Sequence, residues 1–103
     1  MSSIFQTKTV DELIGEFAAR HLVKLKSVSA ASYLHSLRGR FLKRFSGRKP
    51  ADIKRGEIRA LLDDIFDEGR RTTANRTLAA VRKFFNWAVE RGELDFSPLF
   101  RST

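Results

Sequence analysis

Apolar residues recur at steps of three and four along four stretches of this chain, and each stretch ends at a glycine, a proline or a polar break. In the last and longest, Ala74, Leu78, Val81, Phe85 and Ala88 fall within about 40° of one line on an ideal helix. No run alternates apolar with polar as a half-buried strand does. A chain so patterned folds as helices packed on one another. Its 103 residues suffice for one core. The expected fold is all-α, a bundle of four helices or five.

The helix ends can be read from local chemistry. Thr9-Val10-Asp11-Glu12 is a capping box, in which hydroxyl and carboxylate satisfy two free backbone N–H groups. Val10, Leu13, Ile14, Phe17 and Ala18 follow on one face, and helix one should end near Lys24–Lys26. Ser29 is the expected N-cap of helix two. Its buried stripe is Ala30, Leu34, Leu37, Phe41 and Phe45, with Ser32, Ser36, Gly39, Arg40 and Lys43 opposite. Gly47 suits the left-handed position after a helix end, and Pro50 cannot continue the helix.

Helix three is expected from Arg55 to Glu68. Ile58, Leu61, Leu62, Ile65 and Phe66 should point inward, and Glu57, Asp63, Asp64, Asp67 and Glu68 should form an acidic outer face. Helix four, capped by Thr72 or Thr73, should run to about Arg91 before Gly92. Tyr33 falls at a core boundary. Trp87 lies about −140° from the helix-four core line, placed to cover either the C-terminal tail or a partner domain. The tail from Glu93 to Phe100 is expected to be extended and packed back on the bundle. The organisation so read is an N-terminal tail (1–8), a helical domain (9–96) and the start of a linker (97–103).

Charge narrows the function. The net charge is +8, and it is clustered. Residues 38–56 hold eight basic side chains against Asp52, and residues 70–83 hold five with no acid. Between them, Arg59 faces five carboxylates. Such blocks are the footprint of a polyanion binder, the alternative being a basic but merely solvated surface. On helix four, Asn75, Ala79, Arg82, Lys83 and Asn86 share the arc between about 80° and 180°, with Arg76 just beyond. That arc reads either as a wet face or as a duplex reader, since base edges call for forked or amide side chains and phosphates for cations. Thr72, Thr73 and the free N–H groups of the first turn suit a phosphate. Arg48 and Lys49 in the loop after helix two, and Arg71 before helix four, extend the basic surface.

Enzyme chemistry finds little support. Without cysteine there is no disulfide, thiol nucleophile or cysteine-ligated zinc, which fits a reducing, cytoplasmic setting. His21 and His35 lack ligand partners at helical spacing, so no metal is expected. Asp63 and Asp64 point about 100° apart and do not form an acid–base pair. Neither a P-loop nor a Gly-rich dinucleotide fingerprint occurs, so no cofactor is expected. No apolar run is long enough for a membrane span, and the N-terminus does not read as a secretory signal.

Three segments carry a resemblance. Ala51-Asp52-Ile53 through Ile58 places an Asp-Ile pair before helix three. Thr72 through Ala88 combines a Thr/Asn/Arg start, Leu78, a basic pair, two phenylalanines and Trp87-Ala88. Gly92 is followed by Leu94 and Ser97-Pro98. Together they resemble the N-terminal core-binding, SAM-like domain of phage-integrase-type tyrosine recombinases over about Val10 to Pro98. Ser97 departs from the family's usual Asn-Pro, which touches only the detail of that turn.

The resemblance implies a domain that clamps one face of a recombination-site duplex while a C-terminal catalytic domain of the same polypeptide covers the other. That second domain, absent here, would supply the two Arg, the Lys, the His or Trp and the Tyr nucleophile. Tyr33 lies in the wrong domain for that role, so this chain is expected not to be an enzyme and to be a domain excised from a longer recombinase. With about eight residues before helix one, the layout resembles the shorter Xer-like arrangement, without an arm-binding domain. Two helices would meet the major groove: helix two through Ser32, Ser36, Arg40, Lys43 and Arg44, and helix four through Thr73, Asn75, Arg76, Ala79, Arg82 and Lys83. Helix three should face away from DNA. The implied partners are double-stranded DNA, the catalytic domain and other recombinase protomers on DNA. The competing readings are a free-standing DNA-binding regulator, dimeric on a palindromic operator, and a protein-interaction bundle docking through helix three.

Overall fold

The structure, a computed structural model, describes residues 8–92. The expectations for residues 1–7 and for the tail from Glu93 onward lie outside them. Helix α1 spans Val10–Arg20, α2 Ser27–Ser36, α3 Leu42–Phe45, α4 Arg55–Asp67 and α5 Arg71–Glu90. Single 3-10 turns at Leu22–Lys24 and Pro50–Asp52 link them, and a π-turn at Leu37–Phe41 joins α2 to α3. Among the described residues the secondary structure is entirely helical.

The capping box forms as read: Thr9 N–H donates to Glu12 Oε1 (2.9 Å), and Glu12 N–H donates to Thr9 Oγ1 (3.4 Å). Asp11, in the same turn, reaches across the fold. Its carboxylate accepts the Ser46 hydroxyl and the Gly47 N–H, each at 2.8 Å, and Val10 N–H donates to the Arg48 carbonyl. The start of α1 is thereby tied to the end of α3, where Gly47 takes the left-handed conformation (φ +80°) that favours glycine. The α4 end is a Schellman turn. Arg70 N–H donates to Ile65 O and Gly69 N–H to Phe66 O around a second left-handed glycine.

Helix two differs from its expected form at both ends. It begins at Ser27 with Lys26 at the cap, so Ser29 lies inside the helix and is not the N-cap. The cause is upstream: α1 stops at Arg20 and tightens into the 3-10 turn, earlier than the expected end near Lys24–Lys26, so the chain re-enters a helix sooner. Farther on, the single expected helix breaks at Gly39, whose backbone (φ −80°, ψ −120°) leaves helical geometry. Leu37, Phe41 and Phe45 stay buried through the bend. Helix α5 begins at Arg71, with Arg70 at the cap and no side-chain capping bond. Thr72 and Thr73 therefore sit in its first turn and are not its cap.

The core is built mainly of phenylalanine. On α5, Phe84 meets Phe17 of α1 edge-on (5.6 Å between centroids) and Phe41 at 6.1 Å, while Phe85 meets Phe41 at 6.0 Å. Phe41 in turn packs on Phe45. Trp87, which the sequence leaves off both helix faces, is 6 % exposed and lies 5.2 Å from Phe17. Thr77, Ala80 and Phe84 are buried too, and Leu78 only partly. The buried arc of α5 thus spans about 160° and is centred about 60° from the line read in sequence. Helix α4 packs through Ile58, Leu61 and Ile65. Phe66, expected inward, is 47 % exposed and lies beneath the Arg71 guanidinium. It is one 100° step past Ile65, which carries it out of the core.

Truncating Phe84 leaves a void at the junction of α1, α5 and the bent helix. Phe84→Ala is expected to lower stability by about 3–5 kcal/mol. Urea unfolding followed by Trp87 fluorescence measures it, and Phe66→Ala should give a much smaller shift.

Candidate nucleic-acid interface

With one side of α5 committed to the core, its other side faces solvent. Asn75, Arg76, Ala79, Arg82 and Asn86 are exposed on it, and Lys83 is half-buried at the edge; Thr73 is exposed at the start of the helix, at an angle that belongs to the buried arc. Lys83 is placed over the ring of Tyr33 on α2, nitrogen to centroid 6.0 Å. This contact sets the α2 surface beside the α5 surface: exposed Ser32 precedes Tyr33, and half-buried Ser36 lies one turn beyond it. Arg76 and Arg82 make no ion pair or hydrogen bond within the described residues.

The other basic block is arranged differently. Arg40 pairs with Glu68, and Arg44 with Asp64 at 2.7 Å. Arg48 forks onto Glu57 at 2.5 and 3.2 Å and also donates to the Asp52 carbonyl. Three arginines four residues apart thus run antiparallel to α4 and meet carboxylates along it. The acids of helix three were expected to form a solvated outer face. Asp63, Asp64, Asp67 and Glu68 are exposed, as that face requires, and Glu57, Asp64 and Glu68 in addition bond arginines of the basic strip. Arg40, Lys43 and Arg44 line a hollow of about 290 Å³ over Leu61. Lys43 and Lys49 are exposed and unpaired. Arg71 is occupied by the Phe66 ring, 5.2 Å from its centroid.

A second hollow, of about 380 Å³, lies between α4 and α5. It is walled by Arg55, Arg59 and Arg82, floored by Ile58, Leu62 and Leu78, and holds one carboxylate, Asp63. Arg55 and Arg59 were not singled out from the sequence, where one ended a basic block and the other sat in an acidic segment. Their spacing of four was the available signal, since it places both on one face of a helix.

What these helices belong to is decided by a family comparison. Residues 19–92 match the model of the phage integrase N-terminal SAM-like domain. The chain belongs to that family. The match runs from the last two residues of α1 to the glycine after α5, so the SAM-like domain takes in both basic strips and the hollow between α4 and α5. In integrases this domain is the non-catalytic part. Neither the curated proteins nor the solved structures give a match.

No group of three or more potential metal ligands occurs among the described residues of the SAM-like domain, and no described helix is long and apolar enough to cross a membrane. His21 ends α1 and stacks on Phe17 (5.1 Å, planes 10° apart), with its buried Nε2 unpartnered among the described residues. Burial lowers its pKa, helped by Lys83 and Lys24 and opposed by Glu90. Asp11 is held below its ordinary value by the bonds from Gly47 and Ser46, Glu16 by Lys8, and Glu57 by Arg48.

These shifts define two windows of pH. The unfolded His21 takes up a proton near its ordinary 6.5, whereas the folded one resists it. The unfolded state therefore binds more protons just below that pH, and stability falls as the pH drops through this window. Asp11, Glu16 and Glu57 stabilise fully above the ordinary glutamate value of 4.5, and that contribution is lost as the pH falls through their lower folded values. Urea midpoints across a pH series should show both declines. His21→Phe should remove the first, and Asp11→Asn should blunt the second.

Proposed function

We propose that this SAM-like domain is the DNA-binding part of a tyrosine site-specific recombinase, closing on one face of the recombination-site duplex through α2 and α5. The observation that carries the reading is the division of α5. Its buried arc fixes the helix in the bundle, and the remaining arc presents an amide (Asn75) with unpaired guanidinium groups (Arg76, Arg82). These are the groups that read base edges and neutralise phosphates in a major groove.

In this reading the residues divide the work. Asn75 reads a base, and Arg76, Arg82 and Lys83 take phosphates or a guanine edge. Thr73, in the first turn, adds a hydroxyl beside free backbone N–H groups, a favourable setting for a phosphate. Ser32 and Ser36 contact the neighbouring backbone from α2, and Lys43 and Lys49 add cations along it. Arg40 and Arg44 reach phosphates by exchanging Glu68 and Asp64 for them. Arg48, held by Glu57 and Asp52, acts as a brace for the loop, and Arg71 contributes charge from its place over Phe66. The catalytic residues belong to a C-terminal domain of the same polypeptide, and other protomers join when the complex assembles on DNA.

Fluorescence anisotropy on a duplex across a salt series tests this. Log K should fall linearly with log salt, at about 0.9 per phosphate neutralised. Arg82→Ala with Lys83→Ala should weaken binding to every duplex and lower the slope by up to about 1.8, one phosphate for each cation. Absence of binding at low salt overturns the reading. Asn75→Ala should change the preference among sequences; equal loss on specific and random duplexes removes it from base reading.

A further inference from the structure

Helix α4 was expected to turn away from DNA as an acidic face, but its two sides differ. On an ideal helix Arg55, Arg59 and Leu62 lie within about 60° of one another, while Glu57, Asp64 and Glu68 centre roughly 180° from them. The acidic side is consumed: each of those three carboxylates bonds an arginine of the bent helix or its loop. The cationic side turns the other way, toward α5, where it meets Arg82 across the hollow of about 380 Å³. Arg55, Arg59 and Arg82 have no ion pair or hydrogen bond within the described residues, although Asp63 lines the same hollow. Three unneutralised guanidinium groups around one concavity repel one another unless an anion joins them.

We infer that the α4–α5 groove is a phosphodiester-binding site, in which Arg55 and Arg59 of α4 act with Arg82 of α5 on the sugar-phosphate backbone flanking the stretch read by α5. The inference rests on the reading of this domain as a duplex binder and extends its footprint to a helix outside the expected contact set. Continuity favours nucleic acid over an acidic protein. Arg82 belongs both to the groove and to the exposed arc of α5, so a duplex lying on that arc brings its backbone to the groove mouth. Guanidinium forks suit phosphate oxygens, whereas Asp63 opposes any anion there and sets the sign of its own replacement.

The test compares three variants with the wild-type protein on one fluorescent duplex across a salt series, with circular dichroism to confirm folding. Arg55→Ala with Arg59→Ala should lower the slope of log K against log salt by about 1.8, at about 0.9 per phosphate. Asp63→Asn should tighten binding at every salt concentration. Lys24→Ala with Lys26→Ala removes the same charge from exposed positions away from the groove and should leave the slope close to wild type. An unchanged slope in the α4 double variant overturns the inference while leaving the duplex reading intact, and so does an equal fall in the Lys24/Lys26 variant. Wild-type protein that ignores the duplex but binds poly-glutamate, and loses that binding with Arg55 and Arg59, assigns the groove to an acidic protein partner and overturns both readings.

Discussion

The arrangement of the domain depends on two neighbouring phenylalanines. Phe84 and Phe85 leave α5 about 100° apart, yet both are fully buried. That is possible only if α5 is wrapped on two sides: α1 comes in through Phe17 against Phe84, and the bent helix through Phe41 against both. Trp87 closes the α1 side. Helix α5 is therefore the axis of the bundle. Burying so wide an arc leaves only the opposite side of the helix free, and the rotation of that side follows from the packing. The polar side chains along it inherit their direction from the aromatic core.

Electrostatics organises the second half of the structure. The contacts of Arg40, Arg44 and Arg48 with Glu68, Asp64 and Glu57 are largely solvent-exposed, and exposed ion pairs contribute little to stability. Their effect is one of distribution. Each pair cancels charge where the bent helix meets α4, so the surplus positive potential of a +8 chain shifts toward the cations left without partners. Those include Arg76 and Arg82 on α5, Arg55 and Arg59 on α4, and Lys43 and Lys49 beside the ladder. A helix that reads as acidic in sequence thus directs the field of the basic residues around it.

Much of this was legible in the residues. The capping box, the glycine helix ends and the exposed arc of α5 depend on interactions within a few positions, which spacing and local chemistry reveal. What escaped depends on partners distant in sequence. Trp87 and Phe84 are core residues because Phe17 approaches them from α1, about seventy positions earlier, and helical periodicity carries no record of that neighbour. Ala80 and Thr77 are buried as well, and small side chains mark a close helix contact only once the opposing helix is known. Phe66 reads as inward from the apolar spacing, although one further 100° step carries it past Ile65 and out of the core. The function of the acidic residues was missed for the same reason: charge runs along one helix do not show which helix will lie opposite. Of the three segments that carry the family resemblance, the α5 run is the densest, because its aromatics and basic residues serve packing and surface at once.

The break at Gly39 separates two tasks that a straight helix would have to share. Ahead of it, α2 is held beside α5 by Tyr33 and Lys83. Beyond it, Phe41 and Phe45 bury themselves while Arg40 and Arg44 turn to α4. A wider π-turn shifts the angular phase of every residue that follows it. The rotation of the α3 arm is thereby freed from that of α2, and each segment can satisfy its own partner. The residue at the break carries no side chain, and a Cβ placed there would meet nothing within 4 Å. Glycine is therefore not required by crowding at this point. The departure of ψ from helical geometry at this position lets one continuous stretch of chain serve both the α5 surface and the α4 ion-pair ladder.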